Sequence, residues 1–344
     1  MNIILYLFLA HQILINSFND EIIKIIGVGD MMIGTNYPNN SYLPKNNGND
    51  ILKNVSETIK NADIAFGNLE GTILSKEGEV KKCSNPKKCY AFKSPNEYVK
   101  HYKNAGFNIL SLANNHINDF GKTGRLNTQK VLEENNIYFS GTIEKPYSIF
   151  TKDNVKYGFA SFSPNKGTIQ INNYEKAEEI VSLLDSLCDI VIVSFHGGAE
   201  GSKYNRVTKE REYFLGENRG NPHEFSRIVI DSGADLVFGH GPHVLRAVDL
   251  YKRRFIAYSL GNFATYARFN LSGNRGLAPL IEVNINKKGE FISGKIISAK
   301  QIGLGVPILD KNNEAAKEIK RLTSLDFPKS DLKINDFGEI SLKN

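Results

Sequence analysis

The sequence predicts an α/β protein, a layered sandwich built on a mixed sheet. Three observations carry the prediction. A chain of 344 residues, 41% hydrophobic and 23% charged, has ample material for one large core. Up to about residue 243, short β-branched runs alternate with segments of helical period, as strands joined by crossover helices do. Beyond that point the period becomes two, the mark of successive antiparallel strands. No repeat or linker sets off a second folded domain.

The elements follow in order. "IIKIIGVGD" (22–30) is a strand, and "DILKNVSETIKNA" (50–62) a helix with Ile51, Leu52, Val55 and Ile59 on one face behind an Asp50 cap. "DIAFGNLE" (63–70) returns to a strand. "SPNEYVKHYKNAG" (94–106) is a helix with a glycine stop before strand "FNILSLA" (107–113). Helix "GRLNTQKVLEENN" (124–136) leads to the short strand "IYFSG", then strand "VKYGFASF" and helix "YEKAEEIVSLLDSL". "DIVIVSFH" (189–196) is a strand, "PHEFSRIVIDSG" (222–233) a helix, and "DLVFGHGPH" (235–243) a strand and turn. "HVLRAVDLY", "RFIAYSLG", "LAPLIEVNIN" and "EFISGKIISAK" alternate as antiparallel strands. The tail adds a helix, "NEAAKEIKRLTSL", and a loose end.

The first residues, "MNIILYLFLAHQILINS" (1–17), read as a signal peptide followed by a polar "FND", although no Lys or Arg stands near the start and no A-x-A site is present. The alternative is a first strand or helix of the core. His11 and Gln12 interrupt the stretch, so it makes a poor membrane span. The chain thus divides into a leader (1–17), a main domain (18–305) and a C-terminal extension (306–344) packed on the domain or trailing it. Export, to the periplasm or cell envelope, suits Cys83 and Cys89 in "KKCSNPKKCYAF", which in an oxidising compartment form a small disulfide loop. Free, the pair would be thiolates favoured by four lysines. Cys188 reads as a buried small hydrophobe.

Net charge is +6, from 43 basic and 37 acidic residues. No dense Lys/Arg face with interleaved aromatics appears, so nucleic acid is not an expected partner. The excess suits an anionic substrate or a solvated surface. No G-x-S-x-G is present and Ser194 lies inside a strand, which sets serine-nucleophile chemistry aside.

Polar residues gather where the predicted strands end. Asp30 ends the first strand, and Asn68 and Glu70 the second. Asn115 and His116 follow the third, in "SLANNHINDFG". His196, with Glu200 four residues on, closes the strand at 189–195, and His240 and His243 follow the strand at 235–238. Ligand sites in α/β sheets form beyond the carboxyl ends of strands, so five clusters converge on one rim. Carboxylate, amide and imidazole without thiolate suit one or two divalent ions, Mn, Fe or Zn. Such ions activate water and clamp a phosphoryl or carbonyl oxygen. Glu200 is placed to orient a ligand histidine or to face solvent. Arg219, in "GENRGNP", and Asn262, in "YSLGNF", are the candidate substrate contacts.

"GVGDMMIG", "ADIAFGNLEGTI", "FNILSLANNHINDFG", "VIVSFHGGAE", "GADLVFGHGPHVL" and "IAYSLGNF", in that order, resemble the successive motifs of the CapA (poly-γ-glutamate capsule) synthesis family. That family lies within the calcineurin-like metallophosphoesterase superfamily. The resemblance implies a four-layer α-β-β-α fold and a metal centre. It makes Asp30 the first-strand ligand, Asn115 the amide ligand, His196 the mid-chain ligand and His240 and His243 the final pair. His116 becomes the general acid or leaving-group contact. Two positions depart from the superfamily pattern. Met32 stands where a histidine is usual, and Asn68 where the bridging aspartate is usual, leaving Glu70 to supply the carboxylate. The resemblance implies an exported metal-dependent hydrolase or transferase acting on an anionic envelope polymer or its precursor, with membrane capsule-synthesis proteins as partners. The alternatives are a non-catalytic, metal- and polymer-binding assembly component and a nucleotide phosphodiesterase.

Overall fold

A computed structural model describes residues 22–82 and 89–343. The expected signal peptide and Cys83 lie outside the described residues.

The chain opens with four parallel strands, β1 (Ile23–Met32), β2 (Ile64–Leu69), β3 (Ile109–Ser111) and β4 (Tyr138–Ser140), side by side in that order. Crossovers between them carry α1 (Lys53–Lys60), α2 (Val99–Ala105) and α3 (Gly121–Glu134). A second sheet takes the next six strands: β5 (Tyr147–Lys152), β6 (Val155–Phe162), β7 (Ile190–His196), β8 (Leu236–His240), β9 (Val248–Tyr251) and β10 (Arg254–Ala257), in the order β9-β10-β8-β7-β6-β5. α4 (Tyr174–Leu187) and α5 (Pro222–Asp231) are its crossovers. The chain then returns to the first sheet. β11 (Asn262–Thr265) pairs in parallel with the end of β1, and β12 (Leu280–Ile285) and β13 (Phe291–Ile297) extend the sheet antiparallel.

Local chemistry sets the ends of the helices. Asn173 and Asn221 cap α4 and α5 by accepting from the amides of Lys176 and Glu224, with Pro222 at the first turn of α5. Gly106, at φ +106°, stops α2 in the left-handed region. The expected Asp50 cap is not used. α1 starts three residues later, because Ile51 and Leu52 are buried as anchors ahead of it, and Asp50 accepts from Asn46 instead.

Three apolar layers follow from the alternation of side chains along the strands. Ile25, Ile64 and Phe66 of the first sheet meet Phe159, Ile192 and Phe238 of the second. Val55, Ile59, Tyr102 and Leu132 pack helices on the outer face of the first sheet. Ala177, Val181, Leu184, Phe225 and Val229 do the same on the second. The order is therefore helix, sheet, sheet, helix, the four-layer sandwich that the resemblance implies.

The C-terminal segment is structured. α6 (Glu314–Asp326) packs Ala315, Ala316 and Ile319 into the inter-sheet core. β14 (Leu332–Ile334) and β15 (Glu339–Leu342) then add two strands beyond β13. Leu332, Ile334 and Ile340 give these strands a buried face, which a loose end would lack. No helix among the described residues is long and apolar enough to cross a membrane.

Candidate metal centre

Strand register brings the donors together. Asp30 on β1 is paired with Asn68 on β2 and with Asn262 on β11, while His196 and His240 are paired on β7 and β8. All five strands run in parallel within their sheets, so their carboxyl ends share one rim. Backbone closeness is extreme here. A Cβ on Gly29 would lie 2.0 Å from the Gly261 carbonyl oxygen, and that same oxygen accepts the Asp30 amide at 2.8 Å.

Asp30 is fully buried between the two sheets. Its Oδ1 faces His240 Nδ1 at 3.1 Å and its Oδ2 faces His243 Nδ1 at 2.9 Å. Glu70 lies alongside, with Oε1 3.5 Å from His196 Nε2 and 3.6 Å from His243 Nε2. Glu70, His196 and His243 each offer a ligand atom within 4.8 Å of the others'. His243 adopts φ +57°, a left-handed turn costing a non-glycine residue about 1 kcal/mol, and this turn holds its ring between the two carboxylates.

The donor atoms are conspicuously unpaired. Both oxygens of Glu70, both ring nitrogens of His196, Nε2 of His240 and Oδ1 of Asn115 are buried without a hydrogen-bond partner. Each such atom costs about 1–3 kcal/mol unless something satisfies it. A divalent cation is what this set of carboxylate, imidazole and amide donors fits, and a hard or borderline one, since no thiolate is present.

Electrostatics point the same way. Burial alone would raise the Asp30 carboxyl, but hydrogen bonds from His240 and His243 hold it well below the usual carboxylate range. Burial pushes Glu70 well above that range, with Asp30 adding to the effect against His243. Burial also opposes charge on His243, yet Glu70 and the bond to Asp30 outweigh it and lift the ring to about 10. His196 is driven well below its ordinary value by burial and by Arg219. Cation binding would displace protons from the groups that hold the ion.

Asn68 takes a different place from the ligand role expected of it. Its Nδ2 donates to Asp30 Oδ1 at 2.9 Å, and its Oδ1 accepts from Asn114 Nδ2 at 3.1 Å. The amide thus presents a donor, not a ligand oxygen, to Asp30, while its oxygen is engaged by Asn114. Asn114 also donates to the Leu69 carbonyl and accepts from the His116 amide, tying the second and third strand ends together. That strap is the role of Asn114, the first of the two adjacent asparagines in "SLANNHINDFG". Asn262 likewise turns inward instead of toward a substrate. It is buried, its Nδ2 donates to the His243 and Arg275 carbonyls, and its Oδ1 lies 3.1 Å from His243 Nδ1.

A cavity of about 720 Å³ opens above the centre, reaching Asn115, His116, Glu200, Arg219 and His243. His116 Nδ1 lies 2.7 Å from Asp119 Oδ2, and Asp119 Oδ1 lies 2.5 Å from Lys81 Nζ. The ring also packs on Phe92, centroids 4.3 Å apart. Burial lowers the His116 pKa against the opposing pull of Asp119. Arg219 is buried and already neutralised, with Glu217 at 3.0 Å and Glu200 at 3.2 Å. Glu200 therefore stands on Arg219, and no ligand histidine is bonded to it. Arg246 is fully buried in a two-pronged pair with Glu212. Cys89 is disulfide-bonded and Cys188 is free.

Lys81, Phe92 and Asp119 escaped the sequence reading as site residues. For Asp119 a signal was present, its i+3 spacing from His116; for Lys81 and Phe92 only the fold supplies one.

Two helix-flanked sheets with oxygen and imidazole donors along the parallel strand ends define a four-layer α-β-β-α protein with a candidate metal centre at its rim. The chain belongs to the bacterial capsule synthesis protein family PGA_cap, whose pattern matches residues 24–267. It is similar to the capsule biosynthesis protein CapA of Bacillus anthracis, 28% identical over 318 residues, covering 85% of this chain and 72% of that one. It is also similar to the PGA biosynthesis protein CapA of Bacillus subtilis (strain 168), 26% identical, covering 72% of this chain and 65% of that one. A hypothetical protein from Thermus thermophilus shares the fold, with a TM-score of 0.50 at 11% identity over 81% of this chain and 100% of that one.

Proposed function

We propose that the chain is an exported, metal-dependent hydrolase or transferase of capsule or surface-polymer synthesis. Its substrate is an anionic envelope polymer or precursor carrying a phosphoester or a γ-glutamyl amide, and membrane capsule-synthesis proteins are its partners. The observation that carries this reading is the set of unpaired buried donors on Glu70, His196, His240 and Asn115 beside the His116–Asp119 pair. Glu70, His196 and His243 would hold one divalent ion (Mn, Fe or Zn), with Asp30, His240 and Asn115 within the same rim. When bound, such an ion polarises a phosphoryl or carbonyl oxygen and acidifies water.

The chain's own residues supply the proton handling. Neutral His116 donates Nδ1–H to Asp119, which leaves Nε2 with a lone pair to accept a proton. Once charged and steadied by Asp119, the ring returns that proton from Nε2 to the leaving group. Asn68 and Asn262 hold Asp30 and His243 in place by the bonds described above.

A second reading, a metal- and polymer-binding assembly component without turnover, is favoured by Asn68 and Met32, which remove two donors usual in the superfamily. Metal content decides first, measured on tag-free protein beside His196→Ala. The proposal expects about one ion per chain, lost in the variant, together with cleavage of an aryl phosphoester or γ-glutamyl amide that His116→Ala abolishes. Bound metal without turnover supports the assembly component. Folded protein that takes up no Mn, Fe or Zn overturns both.

A further inference from the structure

The cavity over the centre is far larger than one small anion needs and lies in the size range of sites that enclose a whole ligand. Its wall runs outward from His243 without a break. Phe269 meets His243 in a T-shaped contact, centroids 5.6 Å apart, and stacks on Phe92 at 5.2 Å. The next side chain on this wall is Arg268. Ala267, at φ +66° and anchored to the Leu304 carbonyl, turns the backbone there.

Arg268 differs from the other lysine and arginine side chains around the cavity. Lys81 is paired with Asp119, and Arg219 with Glu200 and Glu217. Arg268 has no carboxylate partner among the described residues. Its guanidinium instead lies 4.5 Å from the ring centroid of Tyr42 and 5.3 Å from that of Tyr90. Packing against aromatic faces fixes the plane of the fork and strips part of its water, while leaving its N–H edge to bond an anion. A fixed, unneutralised fork on the wall of an otherwise neutralised cavity is suited to recognition.

We propose that Arg268 is a specificity-determining residue: it binds a second acidic group of the substrate, a carboxylate or phosphate set apart from the reacting one. The cavity thereby selects an extended polyanion over a single small anion. The inference rests on the polymer reading above and names the feature of the polymer that is read.

Calorimetric titration of the full chain loaded with Mn²⁺ tests it, using γ-linked tetraglutamate, a glycerol-phosphate oligomer and inorganic phosphate as probes. One lost charged hydrogen bond predicts that Arg268→Gln weakens an oligomer by about tenfold or more. Inorganic phosphate should change less than about twofold, and Arg268→Lys should recover part of the oligomer affinity. Circular dichroism and metal content check that each variant is folded and loaded. Arg268-dependent binding of the glycerol-phosphate oligomer alone would keep the inference and sink the γ-glutamyl reading. The inference is overturned by equal loss for oligomer and phosphate, by no loss, or by a wild type that binds neither oligomer more tightly than phosphate.

Discussion

Replacing Asn68 by aspartate interrogates the centre directly. The amide nitrogen of Asn68 lies 2.9 Å from Asp30 Oδ1 inside a fully buried site. Asn68→Asp exchanges that hydrogen-bond donor for a second negative charge. At an effective dielectric of about 20, two unit charges at 2.9 Å repel by about 6 kcal/mol. The pair can limit this by retaining one proton, which costs an ordinary aspartate about 4 kcal/mol at pH 7. The metal-free variant should therefore lose about 4 kcal/mol, a large share of a typical stability. With an unfolding entropy of about 2.1 cal/mol/K per residue, this chain should melt about 5–6 °C lower. A divalent ion would reverse the sign, since the new carboxylate would add a ligand to the rim that holds it. Melting in EDTA and in excess Mn²⁺, with metal content measured alongside, reads both effects. Recovery of the loss in Mn²⁺, with metal content at or above wild type, is the expected result. A variant as stable as wild type in EDTA, or one that Mn²⁺ does not rescue, would refute the reasoning that this rim is a cation site.

Two further outcomes concern stability. Burial, with Arg227 and Lys209 nearby, lowers the half-buried His223 to about 4, so its neutral form is favoured by folding. The stabilisation is whole above the unfolded pKa of about 6.5 and is lost as pH falls from there through 4; discounted for solvent exposure, it amounts to about 1–2 kcal/mol. His223→Gln should flatten the fall in melting temperature between pH 7 and 4.5, and an unchanged slope would contradict this. At the cavity mouth, the hairpin pairing Tyr213–Phe214 with Glu217–Asn218 turns through Leu215 and Gly216 at φ +50° and +83°, the pattern that prefers Asn-Gly. Leu215→Asn should raise stability by about 1 kcal/mol, or about 1–2 °C, read by thermal melting; a lower melting temperature would show that Leu215 packs usefully despite its exposure.

Much of this protein was legible in the order of its residues. Periodicity located the strands, and the polar residues closing "IIKIIGVGD", "DIAFGNLE", "DIVIVSFH" and "DLVFGHGPH" marked the rim, because in a parallel sheet every strand's carboxyl end faces one side. Strand β11 was hidden in "NFAT", too short to show a period, and the tail strands β14 and β15 gain their meaning only as additions to an existing edge. The choice between neighbouring side chains was beyond sequence altogether. Asn68 faces Asp30 as a donor because Asn114, 46 residues on, holds its oxygen. Asp30 meets His240 and His243 across 210 and 213 residues of chain, and Arg219 is silenced while Arg268 is left open. Local propensity and alternation are properties of a few consecutive residues, so sequence determines them. Which buried charge meets which partner depends on how two sheets and their loops pack, and that only the tertiary structure decides.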